Sequence, residues 1–197
     1  MRVSSPNNAL IIMAQTKITN AAIQMGAAHK LDLTADVTHL IVGSITTPKY
    51  RYVAKDRPDI QVLRPSWIDA VRGLWMEGVD VDVEALAREH KMLPFTGLQI
   101  CVTGFDNVEQ RNDIAYRGEE QGATYHGDLT KVVTHLIARK PEGAKYNAAK
   151  SWGIHVVSLK WFKESLSRGM ALDEKLYDPN VPEEEQGIGA FKRYPST

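Results

Sequence analysis

The chain has little of what marks several common functional classes. It holds a single cysteine, Cys101, which excludes an internal disulfide framework and any metal site built from several thiolates. One unpaired thiol also fits a reducing compartment, cytosol or nucleus. Neither sign of charge is in excess, since 24 Lys and Arg face 24 Asp and Glu. Residues 1–96 carry 11 basic and 10 acidic side chains and the remainder 13 and 14. Neither half is therefore a hidden basic arm, and strong binding to bare nucleic acid is not expected. No apolar run approaches the roughly 18 residues of a membrane helix, and the short run Ala9–Ala14 lacks a secretory layout. There is no G-x-G-x-x-G or Walker-type loop, and no carboxylate pair or Ser-His-Asp set stands at matching positions. No enzyme activity, cofactor or metal is expected. What remains is an ordinary globular composition, 43% apolar and 24% charged over 197 residues, enough for one large domain or two of about 100 residues.

The sequence repeats itself. Gly26-Ala27 returns as Gly122-Ala123, Asp32-Leu33-Thr34 as Asp128-Leu129-Thr130, and Val37-Thr38-His39-Leu40-Ile41 as Val133-Thr134-His135-Leu136-Ile137. Lys49-Tyr50 returns as Lys145-Tyr146, and every pair is 96 residues apart. Gapless alignment of Gly26–Tyr50 with Gly122–Tyr146 gives 12 identities in 25 positions. Trp67 and Trp161 pair at a spacing of 94. So long a period is a duplicated domain, not a solenoid.

The second copy reads as βαββαβα. Leu98–Thr103 is a compact apolar run, and Gly104–Asn107 is a polar turn. Glu109–Gln121 has helical composition and stops at Gly122. Ala123–His126, Thr134–Ala138 and Ile154–Ser158 read as further strands, with short helices over Ala144–Trp152 and Leu159–Arg168. Strands separated by helices predict a small parallel sheet covered on both faces. In the first copy, strands are expected near Ala28–Leu31, Thr38–Val42 and Gln61–Leu63, with helices near Pro48–Lys55 and Ser66–Met76. Its beginning departs from the pattern. Leu10, Ala14, Ile18, Ala21, Ala22 and Met25 recur at helical spacing, so Ala9–Met25 reads as a long helix capped by Asn7 or Asn8, leaving Met1–Pro6 for a first strand. The expected organisation is a first repeat over 1–78, a partly ordered linker over 79–95 and a second repeat over 96–172. A polar, extended tail over 173–197 packs against the second repeat.

The twice-found pattern Gly-Ala, Asp-Leu-Thr, Val-Thr-His-Leu-Ile, Lys-Tyr and a tryptophan in the last helix resembles a tandem of BRCT repeats. Pro48–Ala54, Trp75–Gly78 and Pro182–Ala190 are similar to the amino-terminal repeat pair of the topoisomerase-II-binding scaffold family, with its fungal replication and checkpoint members. The resemblance implies an α/β fold of two domains, each a four-stranded parallel sheet flanked by three helices. It also implies a nuclear scaffold that binds phosphothreonine- or phosphoserine-containing proteins in replication initiation and the DNA damage checkpoint. Two other readings stay open: a module holding DNA ends or 5′ phosphates directly, and a purely structural dimerisation module.

A phosphorylated side chain brings about −1.5 to −2 charges and three strong acceptors. It calls for a hydroxyl, backbone amides at a helix N-terminus and fixed cations. Thr103, Gly104, Arg111 and Lys145 match the phosphate-binding positions of the family, and Trp152 matches its ligand-side aromatic. Taken singly, Thr103 reads first as a turn cap, Arg111 and Lys145 more often as solvated surface cations, and Trp152 equally as core. The first repeat keeps Lys49 but sets Asn7, Asn8 and Gln15 opposite Thr103, Gly104 and Arg111, so only a weaker second site is expected there. Trp67 and Trp161 are expected as core anchors, His39 and His135 in structural hydrogen bonds, and Cys101 as an inert buried thiol.

Overall fold

The computed structural model describes residues 16–192. The expected first strand, Asn7, Asn8, Gln15 and the start of the long first helix lie outside that range. The chain divides into two units: one takes in the chain up to Gly43 together with Ile60–Lys91, the other Ser44–Asp59 and everything from Met92 onward.

In the first unit, α1 runs through residues 16–24; Ile18, Thr19, Ala21 and Ala22 are its less exposed positions, and all but Thr19 belong to the expected apolar spacing. Strands β1 (His39–Ile41) and β2 (Gln61–Leu63) pair in parallel, His39 opposite Gln61 and Ile41 opposite Leu63. The strand expected at Ala28–Leu31 is not formed; those residues lie in irregular backbone, with Leu31 74% exposed. An edge strand needs a neighbour to satisfy its amides. In the second unit the corresponding strand is only two residues long and is held wholly by pairing to the first strand of its sheet.

Helix α3 (Ser66–Met76) follows β2. Its Trp67 is half-buried, not a full core anchor, and stacks on His39 at 5.4 Å. The linker contains a helix of its own, α4 (Val83–Glu89), because Asp82 caps it by accepting from the Ala85 amide. Ala87 is buried, and an antiparallel bridge joins Leu63 to Lys91.

The second unit carries a four-stranded parallel sheet of order β4-β3-β5-β6, with β3 (Gln99–Thr103) between β4 (Thr124–Tyr125) and β5 (His135–Ala138), and β6 (His155–Ser158) outermost. Helices α5 (Val108–Glu120), α6 (Ala144–Ser151) and α7 (Leu159–Arg168) cover it. Alternation along β3 sends Ile100 and Cys101 to opposite faces. A Cβ on Gly118 of α5 would lie 2.6 Å from Ile100 Cδ1, so glycine there lets α5 lie close over that face. Cys101 packs on the other face with Val133, Leu136 and Ala149. Trp161 is fully buried, stacks on His135 at 5.3 Å and donates from Nε1 to the Leu172 carbonyl. Thr134 Oγ1 lies 2.9 Å from His135 Nδ1, as Thr38 Oγ1 lies 2.8 Å from His39 Nδ1. The repeated Thr-His therefore orients a ring that stacks on a tryptophan.

Helix α2 (Pro48–Asp56) belongs by sequence to the first copy but packs within the second unit. Arg168 donates to the Val53 and Ala54 carbonyls, satisfying the end of that helix, and the Lys192 amide donates to the Lys55 carbonyl. The tail is more folded than an extended strap. It forms a 3-10 helix over Glu174–Tyr177 and buries Tyr177, Gln186 and Ala190. The Tyr50 hydroxyl, fully buried, accepts from the Ala171 amide at 2.9 Å, and burial pushes it up to about 12. Tyr50→Phe is expected to strand that amide and lower stability by about 1–3 kcal/mol. Urea unfolding should show a lower midpoint with an unchanged slope, and an unshifted midpoint would contradict this account.

Candidate functional site

The chain leaves β3 at Thr103, whose half-buried side chain lies on the same face of the strand as Cys101. Gly104 follows with φ +76°, a left-handed conformation that glycine adopts without steric cost. The turn is then locked twice. Asn107 caps α5 by accepting from the Glu109 amide at 2.7 Å and the Gln110 amide at 3.3 Å. Arg111, half-buried on the first turns of α5, folds its guanidinium back to donate to the Phe105 carbonyl at 2.5 Å and the Asp106 carbonyl at 3.4 Å. Arg111 thus braces the turn after Gly104 and brings a fixed positive charge against it.

Lys145 sits on the first turn of α6. Its ammonium donates to the Gly127 carbonyl at 2.6 Å and lies 3.7 Å from Cys101 Sγ. That contact carries the cation to the face of β3 that bears Thr103, two residues and roughly 7 Å further along the strand. Burial pushes the Cys101 thiol up against the opposing pull of Lys145, so the sulfur stays neutral at neutral pH and does not quench the ammonium. Among the described residues neither Lys145 nor Arg111 is paired with a carboxylate. Helix α6 starts at Gly143, with φ +96° and no side-chain cap, whereas α2 is capped by Thr47 accepting from the Tyr50 amide. The N-terminal amides of α6 are therefore not claimed by a capping side chain.

Trp152 ends α6 and is 44% exposed, which removes the reading of it as core. Seven residues after Lys145, it falls on nearly the same side of the helix. Thr103, Gly104 and Arg111 thus share one turn, while Lys145 and Trp152 share one helix face. Lys49 is exposed on the first turn of α2, and its expected companions lie outside the described residues. Sequence reasoning missed the anchors that aim these groups, the Gly127, Phe105 and Asp106 carbonyls, because a carbonyl leaves no mark in a sequence. Asn107 ahead of Val108-Glu109 was a legible cap signal. Among the described residues no cluster of three His, Cys, Asp or Glu side chains could hold a metal ion, and no helix is long and apolar enough to cross a membrane.

A profile for the twin BRCT domain family matches residues 13–67 and 98–161. The S-M checkpoint control protein rad4 of Schizosaccharomyces pombe is 37% identical over 179 residues, 91% of this chain, which spans only 28% of that relative's length. A crystal structure of Rad4 BRCT1,2 in complex with a Crb2 phosphopeptide superposes with TM-score 0.80 at 36% identity, covering 85% of this chain and 91% of that one. A second, with an Mdb1 phosphopeptide, gives 0.79 at 36% identity over 84% and 91%.

Proposed function

The chain belongs to the twin BRCT domain family, and from that premise we propose that it is a phosphopeptide-binding module whose principal pocket lies in the second repeat. The observation that carries this reading is the turn after β3. There a strand-end hydroxyl and a left-handed glycine stand beside two cations, Arg111 and Lys145, anchored on carbonyls and without a carboxylate partner among the described residues. Such a set suits a ligand close to dianionic and suits neither a neutral side chain nor a hydrolytic reaction. Thr103, Gly104, Arg111 and Lys145 take the phosphate, and Trp152 borders the peptide beside it. Lys49 marks a weaker second site. The repeats span 1–78 and 96–172, joined by 79–95 and followed by a tail over 173–197, of which residues 173–192 brace the second. Two crystal structures of one relative, Rad4 BRCT1,2, hold phosphopeptides. By analogy the parent protein acts in the nucleus as a non-enzymatic scaffold that gathers phosphorylated replication and checkpoint proteins.

Fluorescence anisotropy with paired peptides tests this. A phosphothreonine peptide is expected to bind, and its unphosphorylated or Glu-substituted counterpart to bind at least tenfold more weakly. Random duplex DNA is expected to bind weakly at physiological salt because the chain is neutral. Equal affinity for phosphorylated and plain peptide, or tight DNA binding that survives such salt, would reject the reading.

A further inference from the structure

One cation beside the pocket is left unused by this scheme. Arg139 directly follows β5, whose last residue, Ala138, stands opposite Thr103 in the parallel register. Its amide donates to the Thr103 carbonyl at 3.1 Å. A Cβ on Gly104 would lie 3.4 Å from Arg139 Cβ, so the arginine stem rises directly against the glycine of the phosphate turn. The side chain is exposed, and among the described residues its guanidinium makes no ion pair or hydrogen bond. Asp106, in the same turn, does not pair with it. Its neighbours are all engaged: Lys140 meets Glu142 at 3.8 Å, Arg111 the Phe105 carbonyl and Lys145 the Gly127 carbonyl. In the first repeat the corresponding position is Gly43 and the next is Ser44. The cation is thus a property of the second pocket, not of the duplicated framework.

We propose that Arg139 forms a second anion subsite flanking the phosphate pocket, so that the second repeat selects phosphopeptides carrying another negative group close to the phosphothreonine. The inference rests on the phosphopeptide reading above. A planar guanidinium on an exposed stem can donate two parallel hydrogen bonds to a carboxylate or a second phosphate. Acidic flanks and doubly phosphorylated segments therefore share the required chemistry.

The test is a set of single-phosphothreonine peptides with neutral flanks, with Glu placed in turn at each of the three positions on either side, and with phosphoserine at the best of these. They are titrated into the wild-type chain, Arg139→Gln and Lys145→Glu. For the wild type, one Glu position is expected to tighten binding by on the order of fivefold and the phosphoserine by more. In Arg139→Gln the ratio of acidic- to neutral-flank affinity should fall to about one. A phosphate-dependent wild type indifferent to flanking charge, or a preference that survives Arg139→Gln, overturns the subsite alone. No phosphate-dependent binding to any peptide, with Lys145→Glu equal to wild type, overturns the phosphopeptide reading and the subsite together.

Discussion

Lys145→Glu is expected to remove phosphopeptide binding by the second repeat almost completely. The ammonium is held at the β3 face by one neutral carbonyl, and no carboxylate among the described residues shares its charge. A charge-assisted hydrogen bond contributes on the order of 1.5–3 kcal/mol, so removing it weakens binding by roughly 10- to 100-fold, and a carboxylate in its place adds repulsion. Thr103→Val deletes one hydroxyl and should cost less, about tenfold. Lys49→Glu should change affinity for the same peptide less than threefold or so, and calorimetry should count about one peptide per chain. A damaging Lys49→Glu, or two equivalent sites in the titration, would mean that the first repeat carries a competent pocket of its own. The neutral, buried Cys101 beside Lys145 makes a further contribution: it gives the ammonium a polarizable neighbour without a competing charge.

The second large effect is on acid stability and centres on Glu174, at the start of the 3-10 helix after α7. Its carboxylate receives Arg51 of α2 at 3.1 Å and lies 3.5 Å from His135 Nε2, with a side chain only 14% exposed. Burial by itself would push this carboxyl up. His135, the local backbone amide and Arg51 together overcome it and hold the group down at about 2, from 4.5. A carboxylate depressed on folding stabilises the protein above its unfolded value and loses that contribution as pH falls through the folded one. The window therefore runs from about pH 4.5 down to about 2, and the stake is on the order of 3 kcal/mol. His135 adds to the same trend. Burial lowers it despite the opposing pull of Glu174, so it stays neutral when folded and protonates more readily when unfolded as pH drops below about 6.5. Thermal or urea unfolding between pH 7 and 2.5 should show a steep acid loss in the wild type. Glu174→Gln should be less stable at pH 7 and markedly flatter below pH 5. A variant with the wild-type slope would remove Glu174 from the account.

The second repeat was legible almost element by element. Glycines punctuate its helices, its strands are short apolar runs, and these signals are local. Where the reading was incomplete, the missing information was a distant partner. Ala28 to Leu31 match the pattern of an edge strand, yet pairing, not composition, decides whether such a segment forms. Arg111 was readable as a cation on the right helix, but not as a brace folded onto the Phe105 carbonyl. Trp152 was undecided between core and ligand because helical spacing places a residue on a side of a helix without saying what lies there. Arg139 was invisible beside Lys140 until the register of β5 against β3 set it next to Gly104.

By itself the sequence determined the duplication, the α/β class, the family and the residue types available to a phosphate, because repeats, periodicity and turn chemistry are written in local order. Tertiary structure decided three things. It set which unit α2 joins, through Arg168 on the Val53 and Ala54 carbonyls and Tyr50 beneath the Ala171 amide. It turned the tail from a polar strap into a buried support, with Tyr177 and Gln186 inside. It also aimed the cations, since Lys145 and Arg111 take their directions from the carbonyls of Gly127 and Phe105, 18 and 6 residues away in the chain. Each of these depends on hydrogen bonds closed between segments that only folding brings together, and buried donors and acceptors must find such partners wherever the chain supplies them.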